Sequence, residues 1–414
     1  MSVARGLMGV AVLVGFAWAM SFNRRKMPWK LVLTAVGMQV LLGLCLIKWD
    51  IGRNLFEDIS QWFVTLLSFT EKGAGFVFGD TAKFTGEGKP ALAFTALPTI
   101  IFFSCLMAVL YHLRVMHVLI WLVAKVMSRL LGVTGAESMA MAANIFVGQT
   151  EAPLVVRRFV PEMTKSELMS LMTGGFATVA GSVMAAYIYF LEQGGGQQLV
   201  PHLLIASVMS APAAFAISKI IVPETEVSTT GRGMQLKFER SSSNVLDAAA
   251  TGVSEGLKLW ANVFAMLLAF IAMVALVDHL LGLLHDGWSL EWIFGRLFAP
   301  VAFLMGVERA DVTGFGALLG TKICVNEFVA YLNLEQEVIH WRQGAVGAMS
   351  ERSLFMATYA LCGFANFASI GIQIGGIAPM APERRGDIIN LALRAMFGGA
   401  LASWMTASIA GMFF

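Results

Sequence analysis

Four windows of the chain, residues 91–111, 168–191, 259–277 and 353–382, contain no Asp, Glu, Lys, Arg or His. Each is about as long as the roughly 20 apolar residues that cross the hydrocarbon core of a bilayer. The rest of the chain offers no polar shell to bury them in water. Of 414 residues 57% are hydrophobic and 14% charged, against about 45–50% and 25% in soluble domains. The chain is therefore read as an all-α polytopic membrane protein. Its formal net charge of +2 says nothing about partners, and no nucleic-acid partner is expected.

The four cysteines, Cys45, Cys105, Cys324 and Cys362, lie in apolar segments without paired spacing. They read as buried small hydrophobes rather than disulfides or metal ligands. The six histidines show no ligand pattern. The first apolar run, residues 6–22, follows Arg5 and precedes Asn23-Arg24-Arg25-Lys26. It lacks a small-residue cleavage site, so it reads as a spanning helix and not a cleaved signal.

Eight spans are expected, near residues 5–22, 30–48, 91–113, 167–191, 201–222, 258–278, 353–380 and 387–412. Basic residues orient them. Arg24, Arg25, Lys26 and Lys30 follow the first span, Arg157, Arg158 and Lys165 precede the fourth, and Arg384 and Arg385 precede the eighth. These clusters share one side, with Arg232, Lys237 and Arg240 of the 223–257 linker, when both termini lie outside. Arg309, Arg342 and Arg352 would then face outward. The stretch 51–69 reads as an amphipathic interfacial helix.

Residues 116–160 and 293–334 are too long for loops, too apolar for water and too interrupted to cross. Each is expected to form a re-entrant helical hairpin, which is tolerated where the backbone is buried in protein or lines a wet cavity. The two resemble each other. Gly132, Val133, Ala136 and Glu137 align with Gly306, Val307, Ala310 and Asp311, and Asn-Ile-Phe-Val at 144–147 meets Lys-Ile-Cys-Val at 322–325. Each is followed by a span interrupted by small and polar residues and then by one more span. A unit of span, hairpin, broken span and span crosses three times, so the second copy runs inverted. The expected fold is eight transmembrane helices plus two re-entrant hairpins in an inverted repeat, with interfacial helices. Such repeats with broken helices are the architecture of secondary transporters.

A carboxylate costs roughly 2.5–3.5 kcal/mol at mid-membrane by insertion scales, so Glu151 and Glu327, each closing a hairpin motif, require a function. Gln149, Thr150 and Glu151 precede Pro153, which removes a donor and disfavours helix just before it. An unwound polar tip suits a ligand. Helix–helix hydrogen bonding accounts equally well for isolated polar residues such as Ser182 and Gln373. Lys322, the one base near either tip, either snorkels or pairs with Glu327. A helix ending near Val147-Gly148 would leave carbonyls free. With the Asn144 amide and the Thr178 hydroxyl these could ligate a monovalent cation.

The motifs GQTEAPLVV (148–156), VNEFVAY (325–331) and SERSLFMATYALCGFANFASIGIQIGG (350–376) closely resemble the concentrative nucleoside transporter family in its bacterial form, from about residue 91 to the end. The resemblance implies sodium-driven uptake of nucleosides such as uridine across the bacterial inner membrane. It also implies a homotrimer in which a transport domain moves, elevator-like, against a scaffold; the basic clusters above put both termini on the periplasmic side. It divides the chain into scaffold spans and interfacial helix (1–115), transport-domain repeat 1 (116–222), linker and scaffold span (223–290) and transport-domain repeat 2 (291–414). It assigns Gln149, Thr150 and Glu151 to the nucleobase, with Val183 as an apolar wall. Glu327, Asn366 and Ser369 go to the ribose, with Phe364 packing nearby. The sodium site falls to Asn144, the Val147 carbonyl, Thr178 and the Val179 carbonyl. A proton-coupled symporter, a passive channel and an intramembrane enzyme using Glu151 and Glu327 as an acid–base pair remain the alternatives.

Overall fold

The uncharged windows are mainly helix, with a turn at 92–97 before the third expected span and non-helical breaks at 178–180 and 362–366. The structure, a computed structural model, describes residues 2–79, 92–230 and 242–414. Among these it contains seventeen α-helices and no strand. The first part comprises α1 (Ser2–Ala19), α2 (Trp29–Gly43, continuing as a π turn to Lys48) and the long surface helix α3 (Asp50–Phe78). Helices α4 (Pro98–His112) and α5 (Val115–Leu131) follow, then α6 (Gly135–Asn144), α7 (Ala152–Val155), α8 (Lys165–Ala177), α9 (Gly181–Gln193) and α10 (Val200–Ile221). The remainder is α11 (Val245–Leu284), α12 (Leu290–Met305), α13 (Val312–Cys324), α14 (Glu327–Arg342), α15 (Glu351–Leu361), α16 (Phe367–Ile377) and α17 (Arg385–Ala410).

Among the described residues five helical stretches are long and apolar enough to cross a membrane by themselves: 29–48, 165–193, 197–221, 245–284 and 382–410. The other expected spans are shorter or bent. Helix α1 is a short apolar helix, α4 turns by 78° into α5, and the seventh span is split into α15 and α16.

Both hairpins start later than expected. Residues 115–131 and 290–305 are separate helices, α5 and α12, and only 135–162 and 312–342 form hairpins. The reason is a glycine in each copy. Gly132 ends α5 with φ +71° and Gly306 ends α12 with φ +93°, the left-handed exit that glycine provides without steric cost. Their neighbours Val133 and Val307 are buried, so the aligned Gly-Val pairs are the same turn built twice. Helix α11 is also longer than the expected span 258–278. Asn244 caps it at residue 245, and its 40 residues extend about 60 Å at 1.5 Å per residue. The linker therefore ends at 244, and Arg232, Lys237 and Arg240 lie outside the described residues. The four cysteines are free, but of the four expected to be buried only Cys362 is: Cys45 and Cys105 are half-buried and Cys324 is exposed.

The two copies are α4–α10 and α11–α17, and they interlock. Helices α8 and α10 pack together, as do α15 and α17; across the copies α8 meets α17, α10 meets α15 and α10 meets α17. They run in opposite directions. On one face Phe22 N–H donates to Ile221 O (2.9 Å), Lys165 pairs with Asp387 (3.2 Å), and Arg384 donates to Pro161 O and Met163 O. On the other face Arg342 donates to Gly195 O (2.8 Å), and Arg352 donates to Gly306 O (2.9 Å) and Gly411 O (2.7 Å). Hairpin 1 opens from the first face, where Thr134 Oγ1 donates to Glu167 (2.7 Å). Hairpin 2 opens from the second, where Ser350 Oγ donates to Asp311 (2.7 Å). The three expected basic clusters adjoin the first face, and both chain ends meet at the second, where Gly6 lies against Ser408 and Met412.

Candidate functional site

Hairpin 1 is assembled from its base upward. A reciprocal cap between Thr134 and Glu137 starts α6, satisfying two orphan backbone donors at once. The helix ends at Asn144, and Pro153 limits the return to a four-residue turn of helix, α7. The tip between them is docked by its backbone. Gly181 N–H donates to Phe146 O (3.0 Å), Ser207 Oγ to Ile145 O (2.9 Å), and Gly148 N–H to Glu151 Oε2 (3.3 Å). Glu151 itself stays exposed. Gln149 and Thr150 sit against two glycines. A Cβ at Gly175 would fall 3.0 Å from Gln149 Cβ, and one at Gly376 2.9 Å from Thr150 Cγ2.

Hairpin 2 places its residues differently. Asn326 caps α14 through Val329 N–H (2.9 Å), so Glu327 is the first residue of that helix. Asn366 caps α16 through Ser369 N–H (2.8 Å), and its Nδ2 donates to Glu327 Oε2 (2.5 Å). Two helix N-termini thus converge on one carboxylate, where their dipoles favour negative charge. One turn along α14, Tyr331 stacks on Tyr187 of α9 with centroids 4.2 Å apart. Val183 lies one turn before Tyr187 and is buried beside the same helix pair. Phe364 is buried within the break of the second broken helix, its carbonyl accepting from Asn366 N–H (2.9 Å).

The two breaks touch. Gly363 has φ +97°, and a Cβ there would lie 2.5 Å from Phe176 O at the end of α8. Each hairpin tip therefore meets its own break, and the two breaks meet each other. The expected bland role of Gln373 is realised in part: its Nε2 donates across helices to Met172 O (2.8 Å), while its Oε1 and the Oε1 of Gln149 are buried without a partner.

Asn144, Val147, Thr178 and Val179 are all buried. Both polar atoms of the Asn144 side chain lack a partner, although an unpaired buried polar group costs about 1–3 kcal/mol. That side chain faces the last turn of α8, its Nδ2 lying 3.1 Å from where a Cβ of Gly174 would stand. Thr178, one turn on, donates to Gly174 O (2.9 Å) and keeps its oxygen lone pairs. An amide oxygen, a hydroxyl and helix-end carbonyls make a neutral oxygen set that fits a hard monovalent cation. No cluster of His, Cys, Asp or Glu able to hold a metal occurs among the described residues.

Three features escaped sequence reasoning. Lys322 neither snorkels nor pairs with Glu327; it is wholly buried and donates to Ala360 O (2.9 Å) and Cys362 O (2.8 Å). Lys219 forms a buried ion pair with Glu137 (2.7 Å). Glu167 collects Thr134, Ser228, Thr230 and the Thr164 N–H beneath hairpin 1. For Lys322 the available signal was a charge inside an apolar run; Lys219 and Glu167 sit among other charges and gave none. A cavity of about 740 Å³ lies apart from the tips, between α3 and the outer ends of α9 and α10.

Residues 202–411 match the family model for the Na+ dependent nucleoside transporter C-terminus. Residues 8–81 match the corresponding N-terminus model, and 93–194 a nucleoside-recognition model. The chain is 39% identical over its full length to the whole of the uncharacterized transporter YutK of Bacillus subtilis. It is 40% identical to sodium/nucleoside cotransporter 1 of Rattus norvegicus, with 98% of this chain covering 63% of the rat protein. Among solved structures, CNTnw in an inward-facing substrate-bound state superposes with a TM-score of 0.92 at 38% identity, covering 100% of this chain and 98% of that one. A doubly substituted CNTnw in an outward-facing state gives 0.91 at 37%, with the same coverage.

Proposed function

The chain belongs to the concentrative, Na+-dependent nucleoside transporter family, and from that premise we propose that it is a sodium-coupled nucleoside symporter. The family is one of transporters, which sets aside the acid–base reading of Glu151 and Glu327. One observation carries the proposal: the two hairpin tips and the two helix breaks converge, and there the Asn144 side chain and the Gln149 Oε1 of hairpin 1 lack protein partners.

The roles follow from the groups present. Glu327 as a carboxylate is an acceptor only, suited to ribose hydroxyls, with Asn366 and Ser369 holding the facing helix end. Gln149, Thr150 and Glu151 offer mixed donors and acceptors at successive positions, as the edge of a nucleobase requires. Val183 and Phe364 supply apolar walls. Asn144 Oδ1, the Val147 carbonyl, the Thr178 hydroxyl and the Val179 carbonyl take the co-transported sodium. The carbonyl of Phe146 ties the tip to α9, so ordering the Asn144 end of α6 also orders Gln149 and Thr150. Sodium and nucleoside then strengthen each other's binding by the same factor.

Placement of the basic clusters on one face supports a cytoplasmic assignment for that face, with both termini periplasmic in a bacterial inner membrane. In both copies the helix before the hairpin and everything after it, 116–222 and 291–414, act as the transport domain. Residues 1–115 and 223–290 act as the scaffold, of which the poorly buried α11 is a lipid-facing and subunit-facing element of a homotrimer. The cavity beside α3 lies where the two would slide.

The test is uptake of labelled uridine into proteoliposomes under an inward sodium gradient, then with potassium in its place. Accumulation above equilibrium with sodium alone supports the proposal. Equal uptake with potassium overturns it, leaving a proton-coupled carrier where a proton gradient drives accumulation and a passive one where it does not.

A further inference from the structure

The aligned hairpins put a lysine where the cation site has an asparagine. In repeat 1 the sequence is Asn144-Ile145-Phe146-Val147, and in repeat 2 it is Lys322-Ile323-Cys324-Val325. Each residue lies at the end of the first hairpin helix and faces the end of a half-helix at a break. Asn144 faces the last turn of α8, before the break that opens at Thr178. Lys322 faces the last turn of α15, before the break that opens at Cys362.

What each side chain finds there differs. The Asn144 amide is buried with no partner on either atom. The Lys322 ammonium is buried among carbonyls, donating to Ala360 O at 2.9 Å and Cys362 O at 2.8 Å. No carboxylate comes within ion-pair distance of it among the described residues. Other donors finish the work, Ser403 Oγ bonding Cys362 O (2.7 Å) and Tyr331 OH bonding Thr358 O (3.0 Å). A cation held by neutral carbonyls at the negative end of a half-helix has the surroundings of a bound alkali ion, not of a salt bridge. Among the described residues no lysine or arginine reaches the carbonyls of 172–178 in repeat 1.

We infer that Lys322 is a tethered cation filling, in repeat 2, the counterpart of the sodium site in repeat 1, and that it thereby holds the transporter to one sodium per nucleoside. The inference rests on the sodium-symport reading above. A permanently supplied charge locks hairpin 2 onto its break in the absence of any ion. Only hairpin 1 then waits for sodium, and only one gradient-driven charge moves with each substrate.

The experiment measures labelled sodium against labelled uridine flux in proteoliposomes for the wild type, Lys322→Asn and Lys322→Arg. The expected ratios are about one for the wild type and Lys322→Arg, and about two for Lys322→Asn, which copies the repeat 1 residue. Under a tenfold sodium gradient without membrane potential, limiting accumulation for Lys322→Asn would rise from about tenfold to about a hundredfold. A wild-type ratio of two overturns the inference, and so does an active Lys322→Asn protein that keeps a ratio of one. Should Lys322→Asn fold without transporting, its melting temperature in detergent decides. A steeper dependence on sodium than the wild type supports the inference, and an unchanged dependence overturns it. Should it fail to fold, the wild-type ratio decides alone. Wild-type uptake indifferent to sodium would instead fail the symport reading itself, which the same assay reports separately.

Discussion

Hairpin 1 and hairpin 2 have the same plan and opposite states of completion. Both follow a surface helix ended by a left-handed glycine, both are tied at the base to the start of a broken helix, and both place their tips at a break. Hairpin 2 is internally finished: Lys322, Asn326, Asn366 and Glu327 all have protein partners. Hairpin 1 leaves Asn144 and Gln149 with buried unpaired atoms. Internal duplication supplies two equivalent places for a ligand, and side-chain chemistry decides which is prefilled and which stays open.

The largest test of that contrast is Glu327→Gln. Replacing a pure acceptor with a group that also donates misaligns the Asn366 bond and the ribose contact together, and sites built on a hydroxyl discriminate strongly. Uridine uptake efficiency should fall at least about 100-fold, measured as initial rate against concentration; near-wild-type uptake would remove Glu327 from the site. Next comes the seam between the breaks. Gly363→Val forces a β-branched residue to φ +97° and a Cβ to 2.5 Å from Phe176 O, costing about 1–3 kcal/mol for the backbone conformation alone. Its melting temperature should drop clearly, while Gly375→Ala, with nothing within 4 Å, should barely change it.

Asn144→Leu probes the unfinished half. The sodium concentration for half-maximal uptake should rise about tenfold, near 1.4 kcal/mol. Stability in sodium-free buffer should hold or improve, because the substitution deletes two unpaired buried atoms. A sodium-free protein that instead loses stability would mean the amide has structural partners. The smallest expected effect is that of Gln149→Ala, about five- to tenfold and confined to the choice among nucleobases. Discrimination against deoxyribose should be untouched, and a change in it would merge the two halves of the site.

Much of this was legible beforehand for definite reasons. The uncharged windows and the proline after Gln149-Thr150-Glu151 are local signals, and local physics reads them: hydrocarbon length and a missing donor. The repeated Gly-Val pair was legible as a repeat, and only the structure showed it to be a left-handed turn. That Asn366 and Glu327 belong to one site was expected only through family resemblance, because 39 residues separate them, and their hydrogen bond was visible only in the structure. The mistaken hairpin starts at 116 and 293 have the opposite cause. An amphipathic helix and the arm of a hairpin carry similar apolar content, and only the left-handed turns at Gly132 and Gly306 tell them apart.

Sequence alone settled that this chain lives in a bilayer, that it repeats with inversion, and where its polar tips must be, since each follows from composition or from spacing along one segment. Tertiary structure decided what the buried charges do. Lys322 looked like a partner for Glu327 five residues away, yet its ammonium reaches Ala360 and Cys362 on another helix. Lys219 finds Glu137 across 82 residues of chain (219 − 137 = 82). A buried charge takes whatever partners the packing brings to it, and packing is a property of the assembled helices, not of any stretch of sequence.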